Sequence, residues 1–523
     1  MQQTITIGIG ALTIDEVVAV ARDDAPVRIS DESAAAVAET RALIEELAES
    51  PDPVYGVSTG FGALARLHIP HEKRTELQRR LIRSHAAGSG PEVEREVVRA
   101  LMLLRLSTLC TGRTGVRPVV AETYAALLNA GLTPVVHEYG SLGCSGDLAP
   151  LSHCALVLMG EGRVRDNDGN LLDAAEALQQ HSIEPLVLCE KEGLALINGT
   201  DGMLGMLCLA IHDLDHLAQA ADVAAAMSVE GLRGTLSVFA ADLQELRPQP
   251  GQAASAANIL TITEGSEILR QAAEDFTRHH VQDAYSVRCA PQVAGGFRDT
   301  LEHARRVAGY ELASAIDNPV VALDGRVTSN GNFHGAPVGY VLDFLAIVAA
   351  DLASISERRT DRFLDATRNR GLNPFLAHDP GVDSGHMIAQ YTQAGIVSEM
   401  KRLASPASVD SIPSSAMQED HVSMGWSAAR KLRRSVDGLG RVIAIEILTA
   451  ARAIEMRELD PAPASNAVIE LLRQAIQGPG PDRFLSLDID EAVERVVSGE
   501  VVNAVEKRGR SPPLTLHGPV QDW

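Results

Sequence analysis

The segment Gly140-Ser-Leu-Gly-Cys-Ser-Gly-Asp-Leu-Ala-Pro-Leu-Ser-His153 is where residue types and spacing most plainly invite chemistry. Asp147, followed by Leu148, Ala149 and Pro150, predicts a helix start, with Asp147 as N-cap and Pro150 in the first turn. A cap accounts for the aspartate. It does not account for three glycines and a Cys144-Ser145-Gly146 run set against the helix start. Glycine serves where a backbone must fold tightly, and the positive end of a helix favours negative charge developing beside it.

Other patterns carry less. Gly56-Val-Ser-Thr-Gly60 matches the G-x-S-x-G nucleophile elbow, which needs a hydrophobic strand before it and a doubly wound sheet around it. Neither is evident in the sequence. Gly60-Phe-Gly62-Ala-Leu-Ala65 resembles a dinucleotide fingerprint, but no alternation of strands and helices surrounds it. His212 and His216 share a helix face at metal-ligand spacing. No third ligand follows in register, and Asp213 and Asp215 suit a solvated face.

Taken together, the polar segments resemble the aromatic amino-acid ammonia-lyase family. In that family an Ala-Ser-Gly triplet before Asp-Leu-Ala-Pro closes on itself to give 4-methylidene-imidazole-5-one, a built-in electrophile. Cys144-Ser145-Gly146 stands at that place, with Cys for the usual Ala. Six further segments follow in the family's order: Tyr55-Gly-Val-Ser-Thr-Gly-Phe-Gly62, Ser84-His-Ala-Ala-Gly88, Leu196-Ile-Asn-Gly-Thr200, Val281-Gln-Asp-Ala-Tyr-Ser-Val-Arg288, Asp317-Asn-Pro319 with Gly331-Asn-Phe-His334, and Gln418-Glu-Asp-His421. The resemblance runs from about Tyr55 to about Met456, most of the chain. In the family's chemistry the Gly146 nitrogen attacks the Cys144 carbonyl, which only a residue without Cβ permits. Ser145 then loses its hydroxyl as water. The Cys144 side chain takes no part in ring closure, though a thiol beside an electrophile leaves side reactions open.

The resemblance implies roles residue by residue. Tyr55 is the candidate general base for a β-proton; an ordinary tyrosine pKa near 10 means that its surroundings must activate it. Arg288 is the clamp for a substrate carboxylate, which a guanidinium pairs bidentately. Tyr285 and Asn198 lie near the electrophile, Gln282 and Phe333 line the substrate pocket, and Asn318 supports the carboxylate end. His85 and Glu419 face an imidazole, the carboxylate accepting a ring N–H. Ser84-His85 and Glu419 are the histidine-type choices, where tyrosine-type members tend to have His-Leu and phenylalanine-type members Phe-Leu. The reaction implied is elimination of ammonia from L-histidine to trans-urocanate. A tyrosine or phenylalanine ammonia-lyase, or a 2,3-aminomutase on the same scaffold, is the nearest alternative. No metal or diffusible cofactor is implied, and nothing marks the Schiff-base lysine that a pyridoxal enzyme needs.

The elements that must position these residues read as helices. The chain has 523 residues, 45% apolar and only 3% aromatic, so its core is aliphatic. Its Ala and Leu are strong helix formers. Helical periodicity runs through Val93, Val97, Leu101 and Leu104 behind Pro91, and through 202–231, 340–359, 386–403 and 427–456. Several of these are apolar nearly all round and must be buried. Strand signals are short and few, at Thr4–Ile9 and at Val320–Ser329 with a turn at Asp324-Gly325. The fold class expected is mainly α: a long-helix bundle of the fumarase/aspartase-like ammonia-lyase type with minor short strands. Residues 1–200 are expected to form an N-terminal domain carrying the tyrosine loop and the electrophile. Residues 201–523 are expected to form the central bundle and a C-terminal helical segment. The resemblance implies a homotetramer whose sites are shared between subunits.

A net charge of -23 repels phosphate backbones and argues against nucleic acid. No apolar run reaches the roughly 20 residues of a membrane span, the richest, Tyr340–Ala353, being interrupted by Asp343 and Asp351. The N-terminus lacks the basic and apolar regions of a signal peptide. Six dispersed cysteines without a C-x-x-C pair read as reduced thiols of a cytoplasmic protein.

Overall fold

The computed structural model describes residues 3–50, 54, 56–60, 67, 69–279, 282–508 and 513–518, without the side chains of 276–279 and 508. Twenty α-helices and nine short strands are found among them. The mainly α expectation holds, and the aliphatic composition is the reason. The chain divides into two compact units. The first comprises Met1–His212, Ala304–Asp343 and Pro406–Arg430; the second comprises Asp213–His303, Phe344–Ser405 and Lys431–Trp523. The sequence reading placed one boundary at residue 200. The division falls at His212 and returns two later segments to the first unit; at His212, His303, Asp343 and Arg430 it passes through long helices that give no break in composition, and at Ser405 it falls between helices.

In the first unit the helix Arg95–Cys110 is buried without interruption from Val97 to Cys110. It packs against Ile14–Arg22 and Pro118–Asn129. Burying a leucine stabilises by about 1.5–3 kcal/mol, so Leu101, Leu103, Leu104, Leu106 and Leu109 anchor this layer. Pro91, expected in the first turn of this helix, instead lies in the strand Ser89–Glu92, antiparallel to His137–Tyr139. The helix begins after it, at Arg95. Three further helices pack against one another: His71–His85, Leu148–Leu158 and Glu192–Ile197. They bring the Ser84-His85 segment, the Cys-Ser-Gly triplet and Asn198 into one neighbourhood.

Buried charges fix the connections between these helices. Arg105 is fully buried and donates to the carbonyls of Ala195 (2.9 Å), Asn198 (2.8 Å) and Ile316 (3.2 Å), and pairs with Asp201 at 2.8 Å. Lys191 pairs with Asp317 with both side chains buried. Removing one partner of such a pair leaves an uncompensated buried charge, at a cost of about 3–5 kcal/mol. The expected strands appear as Ile5–Ile7, parallel to Val27–Ile29, and as the hairpin Val320–Val321 with Val327–Thr328.

The second unit holds its own buried pairs. Asp222 accepts from Arg298 at 2.6 Å, from Ser255 at 2.6 Å and from Asn258 at 2.7 Å. Glu446 accepts from Arg359 and also from Ser228 and Ser356. The helix Ala336–Leu364 is, among the described residues, the one long and apolar enough to cross a membrane by length and composition. Asp343 and Asp351 do not interrupt it, and 61% of its apolar window is buried inside the protein. Asp343, in the part of this helix that belongs to the first unit, is itself buried and accepts from the Ser408 amide at 2.7 Å. All six cysteines are free thiols.

Candidate active site

The triplet lies in a loop whose backbone leaves little room. Gly146 has φ +76°, and a Cβ there would fall 1.9 Å from the Gly199 carbonyl oxygen. Gly146 and Gly199 are bridged through their backbones, and the Asp147 amide donates to the same Gly199 oxygen at 2.7 Å. A Cβ on Gly199 would in turn sit 2.1 Å from the Arg105 guanidinium. Glycine is therefore required at both positions, for backbone angle at one and for space at each. The Ser423 hydroxyl donates to the Gly143 carbonyl at 2.9 Å and holds the other limb of the loop.

Asp147 does not cap the helix that it precedes. Its side chain makes no hydrogen bond to the Leu148–Leu158 helix. Its Oδ2 instead accepts the Gly202 and Met203 amides, at 3.0 and 2.9 Å, and so caps the helix Asp201–Gly231. Its Oδ1 accepts the Ser141 hydroxyl at 2.9 Å. Burial pushes its carboxyl up to about 7, against the three donors, which favour the ionised form. An aspartate before a helix reads in sequence as that helix's cap; the fold gives it to another.

Ser145 and Glu419 face each other. The Ser145 hydroxyl donates to Glu419 Oε1 at 3.1 Å, while Glu419 Oε2 accepts from the Ser414 hydroxyl at 2.9 Å. The Cys144 thiol is pushed up to about 12, first by burial and then by the Glu419 charge. It is a neutral thiol at ordinary pH and a poor nucleophile.

A cavity of about 590 Å³ opens beside this pair. Arg80, Ser84, His85, Ser145, Asn198, Asn318, Ser415 and Glu419 supply its polar wall, and Leu67, Ile69, Leu77, Leu81, Leu148, Leu194 and Ile197 its apolar wall. His85 closes the helix His71–His85, with Nδ1 2.9 Å from the Leu81 carbonyl. A carbonyl can only accept, so Nδ1 carries the proton in that bond, and Nε2 of the neutral ring is an acceptor. Asn198 follows the helix Glu192–Ile197, and its Nδ2 lies 3.5 Å from the Asn318 carbonyl. The Asn318 side-chain oxygen accepts from Ser329 at 3.0 Å and from the Asn330 amide at 3.1 Å.

His85, Ser145, Asn198, Asn318 and Glu419 are thus brought together, with Cys144 and Gly146 flanking Ser145 in the chain. Phe333 is half-buried in the first unit but is not part of this wall. Gln282, Tyr285 and Arg288 belong to the second unit. There Tyr285 is exposed, and the Arg288 guanidinium lies over its ring, 4.6 Å from the centroid. Arg288 Nε is buried without a hydrogen-bond partner. Tyr55 lies outside the described residues. The apolar wall escaped the sequence reading because its leucines and isoleucines carry the same signal as core.

The profile of the aromatic amino acid lyases matches residues 12–474. The chain belongs to the aromatic amino acid lyase family. It is 65% identical over 505 residues to histidine ammonia-lyase of Streptomyces avermitilis, covering 96% of this chain and 98% of that protein. It is 47% identical over 498 residues to histidine ammonia-lyase of Gloeobacter violaceus, covering 95% and 96%. Among solved structures it is similar to tyrosine aminomutase from Streptomyces globisporus, with TM-score 0.92 and 37% identity over 98% of this chain and 100% of that one. It is also similar to histidine ammonia-lyase from Trypanosoma cruzi, with TM-score 0.89 and 38% identity over 97% and 96%.

Aromatic amino acid lyases use a self-formed methylidene-imidazolone group. The residues here fit one. Gly146 meets the requirement for a nitrogen nucleophile without Cβ, in a turn of positive φ held against Gly199. The Ser145 hydroxyl, the group that such a closure would shed, has a carboxylate acceptor at 3.1 Å.

Proposed function

We propose that this aromatic amino acid lyase eliminates ammonia from L-histidine to give trans-urocanate. The observation that carries the substrate is the polar end of the cavity: Glu419 next to Ser145, with His85 on the same wall. An imidazole brings two ring nitrogens into this space. The Glu419 carboxylate accepts one ring N–H, and the His85 Nε2 lone pair can accept the second N–H of a protonated ring. A phenyl ring would leave His85 Nε2, and Glu419 Oε1 once Ser145 has given up its hydroxyl, without a partner.

The electrophile of this reading forms from Cys144-Ser145-Gly146. The Gly146 nitrogen bonds to the Cys144 carbonyl carbon, whose oxygen leaves as water. Ser145 gives up its hydroxyl and its α-hydrogen as a second water. The finished group supplies an electron-poor carbon that takes the substrate amine and makes it a competent leaving group. The protein's side chains do the rest. Tyr55 takes the β-proton, Asn198 donates a hydrogen bond beside the electrophile, and Asn318 supports the carboxylate end.

Arg288 binds the substrate carboxylate in this reading, and its buried, unpartnered Nε gives it a donor to spare. Tyr285 assists proton transfer, and Gln282 and Phe333 complete the pocket. These four come to the cavity from further copies of the chain, in a homotetramer with shared sites. A steady-state assay of the purified protein with histidine, tyrosine and phenylalanine, followed by the ultraviolet band of the acrylate product, tests the reading. Preference for histidine supports it. Preference for tyrosine or phenylalanine, or formation of a β-amino acid, overturns the substrate and leaves the family standing.

A further inference from the structure

His153 is used by none of the roles above. It stands on the Leu148–Leu158 helix, the helix that follows the triplet. Its Nε2 accepts a hydrogen bond from the Gly88 amide at 3.0 Å. Gly88 ends the short segment that begins at Ser84-His85. That segment is turned tightly, the Ala86 amide donating to Ile82 at 2.9 Å and the Ala87 amide to His85 at 2.8 Å. The Gly88–His153 bond is thus a direct tie between the chain leaving His85 and the helix entered from Ser145.

The surroundings keep this tie in one form. A Cβ on Gly88 would lie 2.9 Å from His153 Nε2 and 3.3 Å from His137 Cβ, so backbone and ring are in close contact. The His137 ring stands edge-on to His153, 5.5 Å between centroids. His137 Nδ1 is itself engaged by the Gly90 carbonyl at 3.0 Å. Burial, and then the neighbouring His137, push the His153 ring down to about 4, so it stays neutral and keeps the Nε2 lone pair that Gly88 needs.

We infer that His153 is a positioning residue for substrate selectivity: its Nε2, by holding the Gly88 amide, fixes where the His85 ring stands relative to Ser145. The inference rests on the reading of the cavity as a histidine site. A side chain that only filled space would not need an acceptor there. Loss of the acceptor lets the segment after His85 drift. The polar contact to the substrate ring then weakens, while the triplet, held independently by Gly199 and Ser423, keeps its geometry.

The test uses the full-length enzyme in its native assembly. His153→Phe removes the acceptor with a ring of similar reach, and His153→Gln restores an acceptor. KM for histidine should rise about tenfold in His153→Phe with kcat within a few-fold of wild type, the loss expected of one hydrogen bond. His153→Gln should recover most of that rise. In a His85→Leu background, adding His153→Phe should change KM no further, because the effect runs through His85. Should His153→Phe fail to fold, His153→Ala reads the same loss. The inference is overturned by an unchanged KM in the removal variant. It is equally overturned by a Gln variant as impaired as Phe, or by losses that simply add in the double variant. Failure of wild type itself to turn over histidine would instead strike the functional reading.

Discussion

Ser145 and Glu419 meet at 3.1 Å although 274 positions separate them in the chain. The contact joins the residue that is to lose its hydroxyl with the carboxylate expected to face the substrate ring. In the proposed function electrophile and specificity group are therefore neighbours, and neither can be moved without touching the other.

Ser145→Ala removes the hydroxyl that dehydration requires. The variant should fold and assemble, since the one hydrogen bond it forgoes, to Glu419, is worth about 0.5–1.5 kcal/mol and is given up by wild type too once the hydroxyl has left. Turnover should fall by more than about a thousandfold, the electrophile being unavailable. A product-band assay beside a thermal melt checks both halves. Near-normal activity in a folded variant would refute the electrophile assignment.

Cys144→Ala should retain turnover within a few-fold. The side chain hangs outside the bonds that close, and its thiol, held near 12, is neutral at working pH. For the same reason wild type should resist a charged alkylating reagent near neutral pH. Rapid inactivation that Cys144→Ala abolishes would show a reactive thiol after all.

Glu419→Gln and His85→Leu probe the polar end of the cavity. Each group left unpaired by the wrong ring costs about 1–3 kcal/mol, so the pair can separate histidine from phenylalanine by orders of magnitude. Both variants should lower kcat/KM for histidine at least tenfold. His85→Leu should also raise trace activity on tyrosine or phenylalanine. If neither variant alters the histidine value, these two residues do not choose the substrate.

Acid stability should carry the mark of His386. The ring is fully buried in the second unit, with Nδ1 3.1 Å from the Thr449 hydroxyl. Burial, then Arg452, Arg483 and Arg473, push it down to about 3. A depressed folded value means that the unfolded chain binds the extra proton. The contribution is thus fully present above pH 6.5 and is lost as pH falls toward 3, by up to about 1.4 kcal/mol per pH unit. Chemical denaturation at pH 7 and pH 5 should show the loss, and His386→Gln should flatten it. An unchanged acid slope in that variant would exclude the ring as its source.

Much of this was legible in the residues. The triplet, the segment around His85 and Glu419 are polar and glycine-rich among aliphatic helices, so they stand out. The long helices were legible because alanine and leucine repeat without a breaker. Pro91 misled because a proline before an apolar row suits a first helical turn as well as a strand, and only pairing with His137–Tyr139 decides. The partners of Asp147 and Arg105 could not be read at all. Both hydrogen-bond to groups distant in the chain, and such contacts leave no local periodicity. The interleaving of the two units was hidden for the same reason.

Asp147 sits one residue past Gly146, yet its carboxylate closes the start of the 31-residue helix Asp201–Gly231, while its amide clasps Gly199. The clasp exists only once that helix is in place. In the proposed maturation, ring closure would therefore follow the docking of this helix, and a chain that had not folded would stay unarmed.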